Sequence, residues 1–179
     1  MKKLILGLTV VLSFLSCGKE GKTDELPVED VKAENVQKNQ FFVLLDAIYE
    51  KNDTLKVFVY DENDNEVLNS VIKVAVIGSP NQQTVEFKLP EGYTPFNLGI
   101  GFSCSNKEQD SFVLKGISIK NGDDLVYKPE EYLKYYANND QLVMDVPTGL
   151  HKLKHEKDYP AGFVGNIELK SALSSAIKK

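Results

Sequence analysis

The chain of 179 residues has no tryptophan, and each of its 21 basic residues is a lysine. Without arginine it lacks the planar donor fork that grips phosphate or carboxylate through two parallel hydrogen bonds. The net charge is −5, so a nucleic-acid backbone or phospholigand is a poor match. Two cysteines do not make a disulfide framework. The only long apolar run, Leu4 to Leu15, is too short to span a bilayer. What the chain does have is 42% hydrophobic and 26% charged residues, which excludes wholesale disorder. A domain of this length buries about 70% of its unfolded surface and needs neither disulfide nor metal to stand.

Met1, Lys2 and Lys3 give a charged start, followed by the apolar run and then Phe14-Leu15-Ser16-Cys17. This layout is that of a cleaved export signal covering residues 1–16. Its end resembles the lipobox of bacterial lipoproteins, which implies that Cys17 is acylated and becomes the new N-terminus. Gly18 carries no aspartate retention signal, so the resemblance further implies the outer membrane of the cell envelope. Residues 17–39, rich in Lys, Glu, Asp and Gly, are expected to form a flexible tether. The folded domain is expected over 40–179.

Six segments have strand character: Gln40 to Glu50, Thr54 to Asp61, Val71 to Gly78, Gln82 to Leu89, Phe96 to Ser103 and Phe112 to Lys120. Val85, Phe87 and Leu89 alternate with polar residues, giving one buried and one wet face. Turn-rich stretches between short strands predict an antiparallel β-sandwich. Gln141 to Val146 offers one more strand. Pro129 with Glu130 and Glu131 opens a short helix carrying Tyr132, Leu133, Tyr135 and Tyr136 and ending at Asn138-Asn139. A C-terminal helix starts near Asn166, with Leu169, Leu173, Ala176 and Ile177 on one stripe.

Phe87-Lys88-Leu89-Pro90, the run Phe96 to Phe102, and Lys115-Gly116-Ile117-Ser118-Ile119 together resemble the closing strands of galactose-binding-like jelly rolls. Many carbohydrate-binding modules share that fold, and the resemblance implies glycan binding. With no tryptophan to stack on sugars, that task would fall to the eight tyrosines.

The strand Phe96 to Ser103 suggests a place for a ligand. Phe96, Leu98, Ile100 and Phe102 share one face, expected to be the core side. Asn97, Gly99, Gly101 and Ser103 share the other. Two glycines on one face imply close approach to the backbone. Either a helix packs into the gap or a shallow groove lies there. The groove would be lined by Asn97 and Ser103, with Asn106 and Gln109 on the adjoining loop and Tyr93 at the rim. Amides and hydroxyls suit sugar hydroxyls, and a tyrosine face stacks on a pyranose.

Catalytic patterns fail on inspection, and no cofactor or metal is expected. The run Gly99 to Cys104 begins like a dinucleotide loop, but Cys104 replaces the third glycine inside a strand. His151 and His155 are four apart, with Glu156 and Asp158 near, yet Lys152, Lys154 and Lys157 interleave them and repel a dication. Asp61 to Glu66 alternates oxygens as calcium loops do, but lacks the central glycine and the closing glutamate; a turn explains it as well. The sequence therefore favours a lipid-anchored, non-catalytic envelope module that binds a glycan or another extracytoplasmic ligand. The alternative is a structural lipoprotein docking on an envelope protein complex through a sheet edge or the C-terminal helix. Replacing Cys17→Ala is expected to abolish lipidation and release the protein from carbonate-washed membranes. Retention there would overturn the anchor.

Overall fold

Residues 41–49, Phe-Phe-Val-Leu-Leu-Asp-Ala-Ile-Tyr, alternate strictly between buried and half-buried positions, as a strand does when one face meets a core and the other is only partly covered. The computed structural model describes residues 39–67 and 69–177. The export signal, Cys17 and the tether up to residue 38 lie outside the described residues, as do Lys178 and Lys179. The described residues fall within one compact unit, Asn35–Lys179.

Two antiparallel sheets form a sandwich. The first has the order β4 (Ser79–Lys88), β1 (Phe41–Tyr49), β6 (Ser111–Asn121), β10 (Leu150–Leu153), β9 (Leu142–Asp145), with β7 (Asp124–Tyr127) also paired to β6. The second has the order β3 (Ile72–Val76), β2 (Asp53–Tyr60), β5 (Asn97–Phe102), β11 (Ala161–Gly165), β8 (Tyr136–Asn138). All six expected strands and the one over 142–145 are present. Facing residues such as Val43, Leu45, Val57, Val59, Ile100, Phe102, Ile117 and Ile119 are buried between the sheets. Each such side chain contributes about 1.5–3 kcal/mol relative to exposure.

Both lateral sides of the sandwich are corners. Only Ile77 and Gly78 separate edge strand β3 of one sheet from edge strand β4 of the other. A Cβ on Gly78 would lie 2.2 Å from the Glu50 carbonyl oxygen, so a side chain there would collide with backbone. On the opposite side three residues, Asn139 to Gln141, join β8 to β9. Asn139 holds this corner, donating from Nδ2 to the Pro160 carbonyl (2.9 Å) and accepting at Oδ1 from the Gln141 and Gly162 amides (3.1 and 3.2 Å).

The helices are shorter than the sequence suggests. Pro129–Glu131 is a 3-10 turn that runs into a single α-turn, α1 (Tyr132–Tyr135). The chain then turns extended, because Tyr136 joins β8 instead of continuing to Asn138. Pro129 packs directly over Gly116, where a Cβ would meet Pro129 Cβ at 2.8 Å. The C-terminal helix α2 (Ile167–Ser175) begins at Asn166, whose side chain accepts from the Glu168 and Leu169 amides (3.0 and 3.2 Å), a cap worth about 1 kcal/mol. Leu169 and Leu173 are fully buried. Phe96 departs from the expectation: it precedes β5 and is 42% exposed, with the Lys170 ammonium 5.6 Å from its ring centroid.

His151 is neither a ligand nor part of a solvated connector. It lies on β10, fully buried, stacked on Phe112 (5.0 Å between centroids) and edge-on to Phe163 (5.6 Å). Its Nδ1 is 2.8 Å from the Gly149 carbonyl oxygen, so the neutral ring donates from Nδ1. Nε2 is buried with no hydrogen-bond partner, and a second proton there would have no acceptor. Burial therefore holds the imidazolium below its ordinary range, with the Gly149 contact only partly opposing it. The unfolded chain then binds the proton first as pH falls. Stability is expected to be flat above about pH 6.5. It should decline as pH drops below that value, at a limiting slope of about 1.4 kcal/mol per pH unit. Denaturant unfolding across this range checks it, and the His151→Phe variant should lose this component of the slope.

Candidate functional site

The register of the second sheet dictates what its outer face displays, because directly opposite residues point the same way. Lys73 lies opposite Lys56, Lys56 opposite Gly101, and Gly101 opposite Gly162. The neighbouring row is Phe58, Gly99, Val164 and Ala137. Three glycines on two adjacent central strands thus leave a low floor in the middle of the face. On one side of it β2 raises Phe58 and Tyr60. On the other, Tyr159 and Pro160 precede β11. This trough is a cavity of about 410 Å³.

Neither helix fills the space above the glycines. The flanking side chains lean over it instead. A Cβ on Gly99 would meet the Tyr60 hydroxyl at 3.1 Å, and one on Gly101 would meet Pro160 Cγ at 2.9 Å and Phe58 Cε2 at 3.0 Å. The C-terminal helix reaches the end of the face, where Lys170 borders a separate hollow with Tyr60, Asn97 and Val164, while Leu169 is buried in the core. Gly162 has a different reason: its Cβ would lie 2.2 Å from the Ile100 carbonyl oxygen, inside the ladder itself.

The trough is apolar and aromatic, with polar groups at its margins. Tyr159 is 48% exposed, and its hydroxyl donates to Asp140 Oδ1 at 2.7 Å, which holds the ring in place. That hydrogen bond keeps the Asp140 carboxyl below its usual range, helped by Gln141 and by the charges of Lys157 and Lys154. Burial, with the nearby Glu66 charge, pushes the Tyr60 hydroxyl up, so it stays protonated as a donor. Glu66 is the one carboxylate among the residues lining the cavity.

Of the residues singled out from the sequence, Gly101 lines this cavity, and Gly99 lies in the next row beneath the Tyr60 ring. The others do not line it. Asn97 is buried, its Nδ2 donating to the Gly165 carbonyl and its Oδ1 accepting from the Leu98 amide, each at 2.9 Å. Ser103, Asn106 and Gln109 are brought together, but by a structural loop. The Ser103 hydroxyl donates to the Asn106 carbonyl, and Gln109 accepts from the Lys51 amide (2.8 Å) and donates to the Ser111 carbonyl. Tyr93 is half-buried and packs against the core. The polar groups of Asn97, Ser103, Asn106 and Gln109 thus bond within the protein, although Asn97 and Ser103 each also border a smaller hollow.

That loop is organised by Asp53, a buried carboxylate invisible to pattern reading. Its Oδ1 accepts from the amides of Thr54 (2.7 Å), Ser105 (3.0 Å) and Asn106 (3.0 Å) and from the Ser105 hydroxyl (2.9 Å). Its Oδ2 accepts from the Tyr49 hydroxyl (2.8 Å), which itself accepts from the Ser103 amide (3.0 Å). The network holds Ser103 at φ 53°, a left-handed conformation costing about 1–2 kcal/mol for a residue with a Cβ. Cys104 follows, and burial pushes its thiol up to about 11, so it is a neutral thiol near neutral pH. His155 Nε2 sits 3.1 Å from the Gln109 carbonyl oxygen, away from His151 and its aromatic neighbours. In the 61–66 turn, Asp61 Oδ1 accepts from the Asn63 and Asn65 amides (2.8 and 2.9 Å), and Asp64 pairs with Lys170.

No protein-family model, curated protein or solved structure matches the chain. The Asp53 network yields a direct test of the loop. Asp53→Ala leaves buried donors from Tyr49, Ser105 and Asn106 without an acceptor and is expected to cost about 3 kcal/mol in denaturant unfolding. Asp53→Asn, which retains one acceptor oxygen, should cost clearly less.

Proposed function

We propose that this protein is a lipid-anchored, non-catalytic module of the cell envelope that binds a glycan in the trough of its second sheet. The observation that carries this reading is the low floor at Gly101 and Gly162, which line the cavity between the aromatic walls of Phe58, Tyr60 and Tyr159. Flat apolar faces beside a low floor admit a pyranose ring, whose C–H faces stack on tyrosine and phenylalanine. The Tyr60 hydroxyl can meet sugar hydroxyls. The anchor rests on the Phe14-Leu15-Ser16-Cys17 lipobox resemblance, and the outer-membrane location on Gly18.

The reading is tested by applying residues 18–179 to a glycan array and titrating the best-bound oligosaccharide by calorimetry. The Tyr159→Ala variant should bind at least about tenfold more weakly while its thermal midpoint stays unchanged, because the ring is half exposed. Absence of binding to every glycan, or unchanged affinity in the variant, would overturn this reading.

A further inference from the structure

Beside the trough, sharing its Tyr159 and Pro160 wall, lies a second cleft of about 200 Å³. Lys56, Lys107, Lys154 and Lys157 all line it. They come from three separate parts of the chain: strand β2, the loop after β5, and the loop between β10 and β11. In a chain of net charge −5 this convergence runs against the overall balance. None of the four makes an ion pair among the described residues, where Lys51 pairs with Glu108 and Lys170 with Asp64.

The register makes the concentration of charge sharper. Lys56 also lies directly opposite Lys73 on the same face, a like-charge pair that disfavours the folded sheet. Asp158 is the one acidic residue lining the cleft, and Cys104 and Ser103 contribute neutral groups. Asp140, bonded to Tyr159, lies close enough for Lys154 and Lys157 to act on it. The cleft therefore keeps more cationic than anionic groups at its walls. Ammonium groups on flexible stems match a single carboxylate or sulfate, which needs charge from several directions and no fixed fork.

Resting on the glycan reading of the trough, we propose that the ligand is an acidic saccharide, its ring over the glycine floor and its carboxylate or sulfate in the lysine cleft. The shared wall of Tyr159 and Pro160 is what makes one ligand able to reach both. A polyanion such as a nucleic acid is a worse match, since the cationic walls surround a small cleft and do not run as a stripe.

The test compares three probes by calorimetry on residues 18–179: trigalacturonate, a chondroitin-type sulfated tetrasaccharide and the neutral cellotriose, with inorganic sulfate as control. An acidic saccharide is expected to bind at least about tenfold tighter than cellotriose at low salt, and the margin should shrink at high salt. The double variant Lys154→Gln with Lys157→Gln should lose that margin with no change in thermal midpoint, and Tyr159→Ala should weaken both acidic and neutral probes. Equal binding of neutral and acidic probes, indifferent to the lysine variant, overturns the acidic specificity and leaves the trough reading standing. Acidic binding sensitive to the lysines but indifferent to Tyr159 overturns the trough reading and the two-part site together. Sulfate bound as tightly as the saccharides shows an adventitious ion only and overturns the proposal, as does failure of all probes.

Discussion

The Asp53 carboxylate is the constraint on which the rest of the molecule leans. It sits on the first residue of β2, yet through Tyr49 it grips β1 of the other sheet, and through Ser105 and Asn106 the loop that carries the chain from one sheet to the next. A buried charge is costly unless its oxygens are filled. Here five donors fill them, and the donors come from chain segments about fifty residues apart. Meeting the needs of one carboxylate thus fixes how the two sheets join at one end. The same loop then delivers Ser103, Cys104 and Lys107 to the cationic cleft. The acidic residue that builds the loop is turned wholly inward, and the lysine that the loop carries, Lys107, is left facing outward.

A similar division runs across the second sheet. Its inner face is conventional packing, with Val57, Val59, Leu98, Ile100 and Phe163 interlocked in the core. Its outer face is ordered by rows, and two of them join a side chain on β2 to a glycine on β5, Lys56 to Gly101 and Phe58 to Gly99. Small residues in the middle of a sheet weaken it. Here Tyr60, Phe58 and Pro160 fold over the vacated positions and restore part of the lost contact. The floor is thereby low but dry, which is the environment in which stacking and charge both act most strongly.

Much of the architecture was legible because it is carried by alternation. Phe41 to Tyr49 or Thr84 to Leu89 state their period openly. The strands that escaped are short or broken in pattern. Ala161-Gly162-Phe163-Val164-Gly165 carries two glycines, which argue locally against a strand, although Gly162 is demanded by the Ile100 carbonyl it faces. Leu150 to Leu153 was obscured by His151, a polar residue buried among rings. For the site, the anomaly of Gly99 and Gly101 was a true signal of close approach, but what approaches are the side chains of Tyr60, Phe58 and Pro160. Those partners depend on cross-strand register, which no local window contains. Asn97, Ser103 and Gln109 show the converse: a polar residue in a strand or loop looks available until its partners within the protein are known.

The two corners have a consequence for how far the sheets can move against one another. An extended residue spans at most about 3.3–3.6 Å, and packed sheets lie about 10 Å apart. Connections of two residues at one side and three at the other therefore have little slack. At Gly78 there is no room for even a methyl group, so that strap cannot be rebuilt with a bulkier residue. The corners thus act as short straps that hold the two layers of the sandwich at one separation.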